Sequence, residues 1–202
     1  ERQRLERALQ PLLQHYPDVV VSVDTFRSSV ARQCVEKYGV AMINDISGGE
    51  LDERMFDTVA QLRVPYIMMH MRGTPQTMQQ QTGYEDVTAD LLKYFSQKLE
   101  RLFRLGVNDV ILDPGFGFSK TLTQNYELMR HLGDFRILGL PLLVGVSRKS
   151  MIYKLLETTP EESLNGTTVL HTYALLQGAD ILRVHDVRAA KEAIRIVQQL
   201  KG

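Results

Sequence analysis

Six short apolar segments of this chain each end in a polar cluster: Asp24, Asn44-Asp45, Met69-His70-Met71-Arg72, Asp113, Ser147-Arg148-Lys149-Ser150 and Arg183-Val184-His185-Asp186. Carboxylates and an amide can pair with the edge of an aminopyrimidine, and an ionised carboxylate strengthens the contact. Arg183, Lys149 and His185 suit a phosphate or pyrophosphate, arginine through its fork-like grip. Ser150 is expected to open a helix, where free backbone N–H groups favour an anionic group such as a carboxylate. The richest run is Asp113-Pro114-Gly115-Phe116-Gly117-Phe118-Ser119-Lys120, a strand-end acid followed by a glycine-rich aromatic loop. Glycines there let the backbone approach a ligand closely, which fits a flat, nitrogen-rich ring.

Each cluster also has an ordinary structural explanation. Asp24-Thr25 reads as a helix N-cap and Asn44-Asp45 as turn residues. His70, beside methionines, reads as a satisfied core histidine, and His15, His131 and His171 as surface or packing residues. Met68, Met69 and Met71 read as core filler, although one could line a flat pocket. Arg148 reads as half of a structural ion pair, Lys120 as a solvated loop charge, and Arg72 and Lys154 need no special role. Recurrence at one end of successive segments outweighs these readings, because chance would scatter polar residues to both ends. No zinc-ligand spacing, HExxH, Gly-x-Ser-x-Gly elbow or P-loop occurs, so hydrolase and P-loop NTPase chemistry is disfavoured.

The elements that must position these residues alternate. Strands are predicted at Val19–Asp24, Ala41–Ile46, Pro65–His70, Asp109–Asp113, Pro141–Ser147 and Asp180–His185, nearly continuous in apolar character as parallel strands covered on both faces are. Between them lie helical stripes: Val30 to Val35 ended by Gly39, Met55 to Leu62, Val87 to Leu102 closed by Gly106, Tyr126–Leu132, Leu164 to Leu176 ended by Gly178, and Ala189 to Leu200. An opening helix carries Leu5, Leu9, Leu12 and Leu13, and the long non-periodic stretch Met71–Tyr84 is of the kind that is often functional.

Such alternation means an α/β fold with a parallel sheet. A dinucleotide-binding open sheet would place glycines after its first strand, whereas Asp24-Thr25-Phe26-Arg27-Ser28-Ser29 has none. Polar strand ends favour a (β/α)8 TIM barrel. Six units predict a single domain over 1–202 with the first two β/α units absent from the chain as given. Ordinary hydrophobic (44%) and charged (24%) content with balanced charge gives no basic field for nucleic acid, and no apolar run reaches membrane-spanning length. The single cysteine, Cys34, reads as filler on a helix face and fits a reducing cytoplasm.

Six motifs in order resemble the dihydropteroate synthase family: Ser22-Val23-Asp24-Thr25, Ile43-Asn44-Asp45-Ile46, Met69 to Met78, Asp113 to Lys120, Gly145 to Ile152 and Arg183-Val184-His185-Asp186-Val187. That resemblance implies a (β/α)8 barrel joining 6-hydroxymethyl-7,8-dihydropterin pyrophosphate to p-aminobenzoate, with 7,8-dihydropteroate and pyrophosphate as products. It further implies a place in folate biosynthesis and competition by sulfonamides. It implies that Asp24, Asn44 and Asp113 bind the pterin edge, that Met69 lines the ring, and that Lys149 contacts the pterin near the second substrate. By the same resemblance Arg183 and His185 hold the pyrophosphate, and Phe118 and Ser150 help form the p-aminobenzoate site.

The family expels pyrophosphate first, and the arylamine attacks the resulting pterin cation. Its Mg²⁺ arrives with pyrophosphate and is positioned by an Asn on the first barrel strand, which this chain does not contain; no metal ligand is expected among the residues present. The resemblance also implies a cytoplasmic homodimer paired through the later helices. Phe26-Arg27-Ser28 departs from the Lys-Pro pair common after Asp-Thr in the family. Two other readings remain open on the residues: a pterin- or folate-binding methyltransferase domain, and an inactive truncated homologue. The Ser147–Ser150 segment with Arg183-x-His185 discriminates against the first, since a methyl donor has no pyrophosphate to release.

Overall fold

The structure, a computed structural model, describes residues 1–201. It divides into two compact units: Glu1–Met69 with Gln97–Ile111, and His70–Ser96 with Leu112 onward. Among the described residues no helix is long and apolar enough to cross a membrane.

The first unit contains helix α1 (Arg2–His15), β1 (Ser22–Asp24), α2 (Ser28–Tyr38), β2 (Met42–Asp45), α3 (Met55–Leu62) and β3 (Tyr66–Met69). The later part of α4 (Val87–Arg104) and the start of β4 (Val110–Asp113) also belong to it. β1 and β2 are parallel in the register Asp24↔Asn44, as are β2 and β3 in the register Asp45↔Met68. That register sets Asp24 directly beside Asn44. The first strand starts later than its sequence predicts. Val19 and Val20 are exposed, and pairing begins only where the Val21 carbonyl accepts from the amides of Ala41 and Met42. Gly39 ends α2 in the left-handed conformation (φ 63°), as predicted. Cys34 is buried on α2, and burial pushes its thiol up, as befits inert filler.

Beyond β2 the chain turns through Ser47–Gly49 around one buried carboxylate. Asp45 Oδ1 accepts from the Ser47 amide (2.8 Å) and hydroxyl (2.7 Å), and Oδ2 from the Gly49 amide and the Tyr66 hydroxyl, each at 2.8 Å. Asp45 is therefore the turn residue of the Asn44-Asp45 pair. Gly49 has φ 83°, and a Cβ there would stand 2.5 Å from Phe56 Cε1, whose ring packs edge-on against Tyr66. Gly49→Ala is expected to lower stability by about 2 kcal/mol or more through left-handed strain and overpacking. The urea midpoint measures this, and an unchanged midpoint would refute it.

In the second unit the start of α4 and the end of β4 are joined by α5 (Leu122–Arg130), β5 (Leu143–Val144), α6 (Ser150–Tyr153), α7 (Leu164–Leu176), β6 (Ile181–Leu182) and α8 (Val187–Lys201). Three-ten turns occupy Met78–Gln80 and Leu132–Leu138. β5 and β6 pair in parallel, and Leu112 bridges Leu142 in parallel. α5 begins four residues before the predicted Tyr126 because Thr121 and Gln124 form a reciprocal capping box.

The predicted strands Pro141–Ser147 and Asp180–His185 shrink to two residues each. Ser147 and Lys149 consequently do not share a strand face, and Arg183 and His185 lie beyond the end of β6. The reason for the first is local: the Lys149 amide bonds back to the Val146 carbonyl and Arg148 takes a left-handed φ of 54°, so the chain turns where a strand would continue.

Candidate active site

In the first unit the candidate residues form a polar pair. Asn44 Nδ2 donates to Asp24 Oδ1. Facing a carboxylate fixes the amide orientation, so Asn44 Oδ1 points away. That oxygen is buried and accepts no hydrogen bond. An orphaned buried amide oxygen costs about 1–3 kcal/mol and is the sort of acceptor that a ligand donor would satisfy. Asp24 is exposed and does not cap α2; Thr25 Oγ1 instead accepts from the Arg27 amide at 3.1 Å. Met69 is only 1% exposed, so it packs in the core at the end of β3.

In the second unit the remaining residues gather around Asp113, which ends β4 and is buried. Its Oδ1 accepts from the Gly115 amide at 2.8 Å. Burial pushes the carboxyl above its ordinary range, opposed by the charge of Lys149, the Gly115 N–H, and the charges of Lys120 and Arg183. Lys149 is partly exposed, but its ammonium is drawn in to donate to the Phe116 carbonyl and lies 4.7 Å from the centre of the Phe118 ring. Burial lowers its pKa to about 8; Asp113 raises it and Arg183 lowers it further. The charges of Lys149 and Arg183 thus both act on the buried Asp113 carboxyl.

The glycine-rich loop owes its shape to partners that sequence reading missed. Gly115 and Gly117 take φ 71° and 81°, and Ser119, a non-glycine, takes 47°. Asn125 Oδ1 accepts from the Gly117 amide at 2.7 Å. Lys120, expected as a solvated charge, is 3% exposed and folds back into the loop. The loop buries its own carbonyls, and Lys120 is the donor that meets them.

At the β5 and β6 ends, His185 stands on Ser147, whose Oγ accepts from the His185 amide (3.2 Å) and lies 3.0 Å from Nδ1. The only sequence signal for this partner was its place at a strand end. Arg148 grips Asp186 with Nε (2.8 Å) and Nη2 (3.0 Å) and donates to the Pro160 and Glu161 carbonyls, the structural ion pair expected of it. Ser150 is the first residue of α6, which is a single turn, so its local N–H groups rather than a long helix dipole would meet an anion. His70 is buried, edge-on to Tyr94 at 4.7 Å, a satisfied core position as expected.

A family of pterin binding enzymes matches residues 1–185. The chain belongs to the pterin-binding enzyme family. Its similarity to dihydropteroate synthases runs through almost all of its length. A dihydropteroate synthase of Synechocystis is 42% identical over 98% of this chain and 70% of that protein. A Yersinia pestis dihydropteroate synthase, solved in a complex with a sulfonamide drug, superposes with a TM-score of 0.92 at 37% identity, covering 98% of this chain and 72% of that one. A Thermus thermophilus dihydropteroate synthase in complex with 4-aminobenzoate superposes with a TM-score of 0.92 at 38% identity, covering 98% and 77%. For a pterin-binding enzyme the α/β architecture with parallel strands is the matching one.

Proposed function

We propose that this chain carries out the dihydropteroate synthase reaction with the side chains at its strand ends. It condenses 6-hydroxymethyl-7,8-dihydropterin pyrophosphate with p-aminobenzoate, giving 7,8-dihydropteroate and pyrophosphate in folate biosynthesis. The observation that carries the assignment of roles is the buried Asp113, closed on the Gly115 amide, with the Lys149 ammonium held on the following loop by the Phe116 carbonyl and the Phe118 ring. A ring that becomes positive and a leaving group that becomes negative need these opposite charges close together.

In the first step the bond between the pterin methylene carbon and pyrophosphate oxygen breaks, and the electron pair leaves with pyrophosphate. Asp113 stabilises the positive charge spread over the pterin, while Arg183 and His185 stabilise the departing anion. His185 is held for this by Ser147. In the second step the arylamine lone pair forms the C–N bond, and the nitrogen gives up its proton to solvent. Phe118 is a wall of the arylamine site, and Ser150 with its α6 N–H groups meets the carboxylate. In the first unit Asp24 and Asn44 are by resemblance pterin-binding residues, and the orphaned Asn44 oxygen is an acceptor for a ligand N–H.

Magnesium belongs with the pyrophosphate in this reading. The cations that would hold pyrophosphate offer no hard oxygen ligand, and among the described residues no group of His, Cys, Asp and Glu could hold a metal ion. The six units are read as part of a (β/α)8 barrel, in a cytoplasmic homodimer. Exposed apolar residues on α7 and α8, Val169, Tyr173, Leu176, Ile196 and Leu200, support pairing through those helices.

The test is formation of dihydropteroate and pyrophosphate in equal amounts by the complete purified protein with both substrates and Mg²⁺, inhibited competitively by a sulfonamide against p-aminobenzoate. Pterin binding without pyrophosphate release would overturn the reading in favour of a binding module.

A further inference from the structure

The loop that walls the arylamine side is braced from within by a residue that the reaction does not use. Lys120 Nζ lies 3.0 Å from the Gly115 carbonyl, 3.0 Å from the Phe118 carbonyl and 3.2 Å from His70 Nδ1. An ammonium has three donors, and all three are spent here if His70 carries its proton on Nε2. The two carbonyls bracket the Gly115–Phe118 turn, which also closes with the Phe118 amide on the Gly115 carbonyl at 3.1 Å.

Outside the turn, the Met71–Tyr84 stretch holds it by other contacts. Gln79 Nε2 donates to the Gly117 carbonyl at 3.1 Å, and Ser119 Oγ accepts from the Arg72 amide at 3.0 Å and the Tyr84 hydroxyl at 3.3 Å. Arg72 in turn stacks over Tyr84 at 3.8 Å and pairs with Asp90 at 3.0 Å. The Phe116 carbonyl, inside the braced turn, is the acceptor of Lys149, and the Phe118 ring is its neighbour.

We propose that Lys120 is a positioning residue for arylamine capture: its buried ammonium fixes the Gly115–Phe118 turn and thereby the placement of the Phe118 ring. This rests on the reading of Phe118 as a wall of the p-aminobenzoate site. A bare ammonium in that place is costly, since burial drives its pKa down to about 7 with only Asp113 opposing, and Lys149 and Arg72 adding to the fall. A solvated loop lysine would escape that cost, so the buried position is one that the turn requires.

The experiment compares Lys120→Met, Gln79→Ala and Phe118→Leu in the full chain, measuring kcat and the KM of each substrate alongside urea midpoints. Lys120→Met keeps the stem volume and is expected to raise the KM for p-aminobenzoate at least tenfold while the KM for the pterin pyrophosphate stays within about threefold. Combined with Phe118→Leu, the effects should be less than additive, because one acts through the other. Equal rises in both KM values, full additivity, or a wild-type KM for p-aminobenzoate would overturn the role of Lys120. If Lys120→Met does not fold, Gln79→Ala, which loosens the same turn from its exposed side, decides: a raised KM for p-aminobenzoate supports positioning, and an unchanged one reduces Lys120 to a folding role. Phe118→Leu with an unchanged KM would instead remove the Phe118 reading itself, whatever Lys120 does.

Discussion

Lys149→Met is expected to lower kcat/KM by about 10²–10³-fold, the range seen when one preorganised charge-stabilising donor is removed, while leaving the fold intact. The ammonium donates to the Phe116 carbonyl and lies by the Phe118 ring, where it feels the charges of Asp113 and Arg183. Met keeps the apolar stem and removes only the charge and its donors. Stability should behave differently from activity. Folding lowers the Lys149 pKa to about 8, so the folded state binds fewer protons than the unfolded chain between about pH 8 and the ordinary lysine value near ~10.4. The lysine therefore penalises stability fully below pH 8, and the penalty fades as pH rises through that window. The urea midpoint of Lys149→Met should thus hold or rise relative to the parent at pH 7, with the advantage shrinking towards pH 10. A midpoint that drops at pH 7 while kcat/KM is retained would reverse both halves of the expectation and make Lys149 a structural residue.

The candidate residues were legible because polar residues at strand ends have few structural duties there. Asp113, Lys149 and Arg183 were singled out by type and position, and the charges of Lys149 and Arg183 both act on the buried Asp113 carboxyl. What stayed hidden were the partners. Lys120 looked like a surface charge, since sequence periodicity carries no information about which loop carbonyls become buried and need a donor. That Ser147 would meet His185 and Asn125 the Gly117 amide was likewise invisible, each contact being set by the three-dimensional approach of residues 38 and 8 positions apart. The Asn44-Asp45 pair could have been split only by seeing that Tyr66, Ser47 and Gly49 all converge on Asp45.

The fold was legible at the level of elements, and its strand lengths were not. All six predicted strands exist, and the Leu164–Leu176 helix has the predicted bounds. Apolar content extended the last two strands past their hydrogen-bonded length, because Val146 and Val184 are just as apolar as the paired residues before them. Pairing, not hydrophobicity, ends a strand. In the segment after β5 it ends because Arg148 accepts a left-handed backbone, a cost of about 1–2 kcal/mol met by its bidentate grip on Asp186. That turn is what delivers Lys149 and Ser150 to the start of α6 rather than to a strand face.

Asp113→Asn is expected to have an effect as large as that of Lys149→Met, by two routes that a pH profile separates. Asn retains an oxygen that can accept from the Gly115 amide, so the loop keeps its 2.8 Å closure and the protein should fold. The first loss is direct: no anion remains to stabilise positive charge developing on the pterin, worth about 10²-fold or more in kcat. The second passes through Lys149, whose pKa is held up by Asp113 against burial and Arg183. Without the carboxylate, that pKa falls below about 8 and more of the lysine is neutral at neutral pH. The alkaline limb of kcat/KM should therefore move to lower pH, and the activity deficit should widen between about pH 7 and 9. Following pyrophosphate release for the parent and the variant across that range gives the limb directly. A deficit that is constant with pH would confine Asp113 to the direct role, and an unreduced kcat/KM at every pH would remove it from the catalytic set.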